Sequence, residues 1–354
     1  MLTPSAADAK RVLERLERLY EIGGGLGANR PAYSAGEDEA IELAAGWMAE
    51  AGLEVERDVD GNLIGRLSGR QPELPEVWTG SHLDSVPEGG RFDGALGVVA
   101  GLEAVERVGR CERTLGVVSF RGEEVGCLGS RARCVNGSLP DAFVELHIEQ
   151  GPRLDRMGAQ LAVVTGIAGQ LRRTIAFEGS AGHAGTTPMD ARDDALVKAA
   201  EFVLHVRDAA AAIEGAVATV GEIEVEPGAA NVIPGRATVS LDARAADAEG
   251  LDRLAAALGV DVPPRNYPIP MSGEIRSLLR EELESRGLPP VELTSGAGHD
   301  AAVLAASGVA SGMLFVRSLN GGVSHSPDEL SSVEDIALAT EVLTAALRRL
   351  ANVS

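Results

Sequence analysis

Glu76-Val77-Trp78-Thr79-Gly80-Ser81-His82-Leu83-Asp84 reads as a short apolar strand that runs straight into a histidine and an aspartate. Downstream, Gly94 to Val108 carries helical spacing, and Leu115 to Phe120 and Phe143 to Ile148 are further short apolar runs. Strands alternating with a helix in this way imply a mainly parallel sheet, hence the α/β class. Ligands of such a sheet collect beyond the carboxyl ends of its strands. His82 and Asp84 fall there after the first strand, Glu123 and Glu124 after the second, and His147 at the end of the third. His325 follows a later strand at Gly312 to Val316.

Outward from this centre, Ala6 to Tyr20 and Asp38 to Ala51 read as helices, and Leu53 to Val59 and Leu63 to Leu67 as a hairpin around Asp60-Gly61-Asn62. From about Gln170 the texture changes. Leu171 to Phe177, Val217 to Glu224 and Ala237 to Ala243 alternate as strands, while Asp193 to Ala211 and Ala246 to Leu258 are helical. The order resembles a ferredoxin-like α+β sandwich with one sheet face open. Asp261 to Pro270, rich in proline, reads as a hinge back to the first domain. Gly273 to Arg286, Asp300 to Ala306 and Val333 to Ala351 then read as helices. The expected division is a catalytic domain of residues 1–169 and 268–354, with residues 170–267 inserted.

Composition narrows the function. With 53 acidic and 32 basic residues the formal net charge is −21, which repels phosphate backbones and anionic membranes. Aromatics make up only 3%, too few for a base-stacking surface. Nucleic acid and membrane are therefore not expected as partners. No long apolar run and no apolar signal core occurs, and Cys111, Cys127 and Cys134 form neither an even set nor a C-x-x-C motif. The expected compartment is the reducing cytoplasm.

Five of the six histidines lie in loops or at strand ends beside glycine and acid, where packing alone gives no reason for an imidazole. His205, on the helix from Asp193 to Ala211, is read as structural. His82-Leu83-Asp84 has the His-x-Asp form, in which a carboxylate can aim a metal-binding ring. Asp93, at a helix start, is open to two readings, an N-cap or a shared metal ligand. Two adjacent buried acids, Glu123-Glu124, repel unless something positive neutralises one. With Glu124 a ligand, Glu123 becomes the general base of a metal-assisted hydrolysis. The set then makes a two-metal site sharing Asp93, with His82 and His147 on one ion, Glu124 and His325 on the other, and water between. Zinc suits these donors first, and manganese, cobalt or nickel fit them as well. Cys127, near Glu124 but without a dedicated base, is not read as a nucleophile.

Gly80-Ser81-His82-Leu83-Asp84, Gly89-Gly90-Arg91-Phe92-Asp93-Gly94, Glu123-Glu124, Glu145-Leu146-His147-Ile148-Glu149-Gln150-Gly151-Pro152, Gly182-His183-Ala184-Gly185-Thr186-Thr187-Pro188-Met189 and His325-Ser326-Pro327 together carry a resemblance over nearly the whole chain. The chain resembles the zinc-dependent amidases that include N-carbamoyl-L-amino-acid hydrolase, allantoate amidohydrolase and bacterial β-ureidopropionase, relatives of dinuclear aminoacylases and carboxypeptidases. The resemblance implies that Asp93 bridges, that Asp84 and His183 assist catalysis, and that Gln150, His183, Asn231 and Arg244 contact substrate. It implies a lid and dimerisation role for the inserted domain, with His183 and Asn231 reaching across a homodimer. In peptidase-like relatives the position of His147 is acidic, so His147 followed by Glu149-Gln150-Gly151-Pro152 points to the ureido branch.

Chemistry independently suits Arg244, a forked cation, to a substrate carboxylate, and His183 to an oxyanion. The expected activity is hydrolysis of a ureido or amide C–N bond in a small anionic substrate. A dinuclear dipeptidase or aminoacylase is the nearest alternative, and a ligand-binding protein without turnover is a third. One departure from the family is the short linker Arg131 to Ala142, where relatives carry a longer segment.

Overall fold

Val77–His82 lies fully buried, hydrogen-bonded in parallel to Leu115–Phe120 on one side and to Ala142–Ile148 on the other. The computed structural model describes residues 6–263 and 267–352. Ala310–Val316 extends the sheet in parallel beyond Ala142–Ile148, completing the parallel core expected from the sequence. Its flanks are antiparallel: Leu63–Leu67 and Glu54–Arg57 on one side, Leu161–Ile167 on the other. All four core strands are almost wholly buried, as continuous apolar runs require when helices cover both faces.

The helix Ala95–Val108 explains much of that burial. Every residue from Ala95 to Val105 is buried, so it is a core helix rather than a surface one. Leu96, Val99 and Leu102 join one apolar cluster with Val77, Val117 and Leu146 of the sheet and Leu343 and Leu347 of the helix Val333–Ala351. Each such side chain taken from water is worth about 1.5–3 kcal/mol.

By internal packing the chain divides into two compact units, residues up to Gly166 with those from Pro270 on, and Ile167–Ile269. In the second unit the strand Arg236–Ala245 pairs antiparallel with Gly169–Glu178 on one edge. Along its other edge lie Ala216–Thr219 and Ile223–Glu226 in succession. The run Val217 to Glu224, read as a single strand, is thus broken, and Ser240 bonds Glu222 at the break through both its backbone N–H and its Oγ. The helices Ala195–Ala211 and Ala248–Leu258 bury Leu171, Leu241, Ala243 and Leu254 together. Arg172, Thr174 and Glu178, on the opposite face, are exposed.

Two elements depart from the sequence analysis. The supposed linker from Arg131 begins inside a helix, Leu128–Asn136, which buries Gly129, Ser130 and Arg133. Leu161–Ile167, not assigned from sequence, is a buried strand. Within the proline-rich segment read as a hinge, residues 264–266 lie outside the described residues.

Candidate metal centre

Six of the expected residues meet at the carboxyl ends of the parallel strands, and Asp93 is at their middle. Its Oδ1 lies 3.2 Å from His147 Nε2 and 3.8 Å from His82 Nε2, while its Oδ2 lies 3.2 Å from His325 Nε2. His325 Nε2 is also 3.4 Å from Glu124 Oε2, and His82 Nε2 is 3.7 Å from Glu123 Oε2. Each oxygen of one carboxylate therefore faces its own set of ring nitrogens.

Asp93 does not cap the helix it precedes. Gly94 occupies that position at φ 63° without any side-chain bond. A Cβ on Gly94 would lie 2.3–2.5 Å from the His82 ring, so only glycine permits both the positive φ and the close approach of the imidazole.

Hydrogen bonds on the far side of two of the rings set their tautomers. His147 Nδ1 donates to the Ile148 carbonyl (2.9 Å), and His82 Nδ1 faces the Asp84 carbonyl (3.1 Å) and carboxylate (3.3 Å). In its neutral form each ring thus turns a bare Nε2 lone pair toward Asp93. Buried His147 Nε2 and buried Glu124 Oε1 have no hydrogen-bond partner. Two acceptors that face each other at 3.2 Å repel unless a cation or a proton lies between them. The donor set, imidazole with carboxylate, fits a divalent ion, and His82–Asp93–His147 and Asp93–Glu124–His325 are each close enough to hold one.

Asp84 does more than aim His82. Its two oxygens accept the backbone N–H groups of Glu123 (3.2 Å) and Glu124 (3.1 Å), so one buried carboxylate orients a ring and presents the acidic pair. Desolvation pushes Glu123 up to about 7, with Asp93 and Glu124 adding to the rise and His82 opposing it. Asp93, against the effect of burial, holds His147 at about 9, and its contact likewise raises His325 to about 9. The cluster is a set of carboxylates that demands positive charge.

Cys127, not read as a nucleophile, has its Sγ 3.6 Å from Glu123 Oε1, and burial raises its thiol far out of the nucleophilic range. Buried His299 packs edge-on to His147 with ring centroids 4.5 Å apart, and burial keeps it neutral. Glu145, His147 and His299 form a third group compact enough for a metal. Glu37 accepts Gly122 N–H (3.1 Å) and the Arg121 guanidinium, bracing the Glu123 loop from a helix N-terminus. Glu329 accepts the N–H groups of Phe92 and Asp93. His299 had a visible signal in its flanking glycine, whereas Glu37 and Glu329 act on backbone amides remote in sequence, which no local pattern marks.

The expected substrate residues divide. Gln150 stands at the metal cluster, its amide donating to Asp93 Oδ2 at 2.9 Å. His183 and Asn231 lie together in the second unit: His183 is on the two-residue strand Gly182–His183, which pairs with Val232–Ile233, and Asn231 directly precedes the latter, its carbonyl accepting the Ala184 N–H. His183 is exposed, and its Nδ1 accepts the Gly185 N–H at 3.0 Å. Arg244, on Arg236–Ala245, grips Asp242 through Nε (2.8 Å) and Nη2 (3.0 Å), and Arg172 Nε holds the same carboxylate at 2.8 Å. The ion pair available to so acidic a protein is therefore present at Arg244. His205 Nε2 meets the Ala257 carbonyl at 2.8 Å, tying two helices together as a structural residue does.

No helix among the described residues is long and apolar enough to cross a membrane. Residues 78–349 match the model of peptidase family M20/M25/M40. The chain is 37% identical to an N-carbamoyl-L-amino acid amidohydrolase of Geobacillus stearothermophilus, over 94% of this chain and 96% of that protein. It is 33% identical to the allantoate amidohydrolase of Escherichia coli, over 86% and 88%. Among solved structures, an amidase of the hydantoinase/carbamoylase family from Burkholderia multivorans superposes with a TM-score of 0.90 at 31% identity, covering 97% of this chain and 98% of that one. The aminopeptidase PepT of Bacillus cereus shares the fold alone, at 18% identity and a TM-score of 0.74. The match to the family model spans most of the sequence and includes every residue of the Asp93 cluster, and the chain belongs to peptidase family M20/M25/M40.

Proposed function

We propose that this protein hydrolyses the ureido C–N bond of an N-carbamoyl amino acid or an allantoate-like acid, with Glu123 as general base and general acid. The observation that carries the reading is the approach of His82 and His147 to one oxygen of Asp93 and of His325 to the other, with Glu123 alongside. The names of relatives at 33–37% identity point to the ureido class of substrate. His82, His147 and Asp93 would hold one divalent ion, and Glu124, His325 and Asp93 a second, zinc before manganese, cobalt or nickel. When bound, such ions supply Lewis acidity to the substrate carbonyl and acidify the attacking water.

The chain's own groups do the rest. Glu123, held near 7 by desolvation, is suited to take a proton from water and return it to the departing nitrogen. Asp84 fixes its backbone. Because His183 Nδ1 accepts from Gly185, the neutral ring carries its proton on Nε2, where it can donate to a tetrahedral oxyanion. Asn231 beside it, and Gln150, whose buried Oε1 has no partner, complete the polar contacts to substrate. Arg244 binds the substrate carboxylate by exchanging it for Asp242, which Arg172 retains, so no carboxylate is left without a cation. A carbamoyl substrate and one water give the amino acid, carbon dioxide and ammonia.

Residues 1–169 and 268–354 take the catalytic role, and residues 170–267 that of lid and dimerisation domain, delivering His183, Asn231 and Arg244 to substrate in a cytoplasmic homodimer. The test is E123Q, read by metal analysis and by ammonia release. Retained metal with turnover lowered by about 10²–10⁴-fold is expected of a lost general base; full activity with both metals bound would remove Glu123 from that role.

A further inference from the structure

Glu329 stands outside every motif that marks the metal cluster, yet its carboxylate joins two of the loops that build it. Oε1 accepts the backbone N–H groups of Phe92 (2.7 Å) and Asp93 (3.1 Å), across more than two hundred residues of sequence. Oε2 accepts the hydroxyl of Ser324 at 2.8 Å, the residue next to His325. The same hydroxyl lies 3.3 Å from Asp93 Oδ2. Glu329 is only 5% exposed, and the chain makes room for its carboxylate at Gly90, where a Cβ would sit 2.1–2.3 Å from the carboxyl atoms. Buried acids are normally excluded unless their oxygens are satisfied. Here they are satisfied entirely by donors from the Asp93 turn and the His325 loop.

We infer that Glu329 is a positioning residue that sets the spacing between the Asp93 carboxylate and the His325 imidazole, and thereby the affinity of the second ion, the one Asp93, Glu124 and His325 would share. Remove it, and two buried amides lose their acceptor while the His325 loop loses its tie to the Asp93 turn. His82 and His147 are held by other groups, Asp84 and the Ile148 carbonyl, so the first ion position depends on Glu329 through Asp93 alone, whereas the second depends on it through both Asp93 and the His325 loop. The function is geometric rather than electrostatic. A glutamine keeps the carbonyl oxygen that both amides need, and its NH2 can donate to Ser324 Oγ.

This inference rests on the metal-centre reading, so the experiment has two arms. In the first, wild type, E329A and E329Q are stripped with chelator, and zinc binding is titrated by calorimetry with metal content checked by elemental analysis. E329A should bind the second equivalent about 10–100-fold more weakly, the usual cost of losing a group that holds a ligand in place, and the first with a smaller loss. E329Q should stay within a few-fold of wild type at both. Wild-type affinity for both ions in E329A, or an E329Q defect equal to that of E329A, would overturn the inference. In the second arm, hydrogen exchange is followed on metal-free full-length protein. E329A should speed exchange in the peptides covering both residues 90–96 and 321–328, and E329Q in neither. Loosening confined to the segment around position 329 would overturn the inference. A wild-type protein that takes up no divalent ion would instead sink the metal-centre reading, and the exchange arm would still decide Glu329.

Discussion

Asp93 has neighbours on both oxygens, and the tightness around it gives the sharpest residue-level expectation. At Gly94 any side chain must enter the His82 ring while holding φ at 63°. G94A should therefore lower stability by about 1–3 kcal/mol from backbone strain alone, and displace His82 so that the first ion is lost. Thermal unfolding with metal analysis checks both, and an unchanged Tm with full metal content would contradict the packing described. The residues that cluster around Asp93 were readable from sequence because imidazoles and paired acids beside glycine, at strand ends, have no reason in packing to be there. Asp93 was ambiguous locally, since an N-cap and a ligand occupy the same kind of position. Gly94 taking the cap set aside the first reading, and His147 and His325 arrive beside Asp93 from elsewhere in the chain. Glu37 and Glu329 stayed invisible for the same reason, because they serve amides that only the folded chain brings near.

At the level of elements, periodicity located the parallel strands closely, and Leu115–Phe120, Asp300–Ala306 and Val333–Ala351 coincide with their sequence readings. It failed where an element lacked an ordinary start. Leu128–Asn136 begins after Cys127 in a left-handed conformation with no side-chain cap, so nothing in the sequence announced a helix. The break in the Val217 to Glu224 run was equally silent, because alternation survives on either side of it. The strand Arg236–Ala245 carries its own test. Asp242 is lowered to about 2: burial works against this, and the bonds to Arg244 and Arg172 outweigh it. A carboxyl with a depressed folded-state pKa contributes stability above its unfolded value near 4, and that contribution disappears as pH falls toward 2. D242N should thus unfold more easily than wild type at pH 7, by about 1 kcal/mol given partial exposure. The gap should close between pH 4 and 2. Thermal melts across that window measure it, and a gap independent of pH would show that the two arginines do not stabilise the Asp242 charge.

Across the whole molecule, the change of texture near Gln170 gave the expected boundary, and by internal packing Ile167–Ile269 forms a compact unit. Composition argued against nucleic-acid and membrane partners without choosing a substrate. A net charge of −21 needs local cations wherever an anionic substrate is to bind, and the candidates are metals at Asp93 and guanidinium groups at Arg244 and Arg172. The measurement that bears most directly on the account is ammonia release by purified protein, stripped of metal and then reconstituted with zinc or manganese. N-carbamoyl-L-amino acids, allantoate, N-acetyl amino acids and dipeptides should be assayed side by side. The account predicts no release from the stripped protein, recovery on adding metal, and turnover of a ureido substrate above that of any amide or peptide. Hydrolysis without metal, or a reconstituted enzyme that cleaves dipeptides or N-acetyl amino acids and leaves every ureido compound intact, would contradict it.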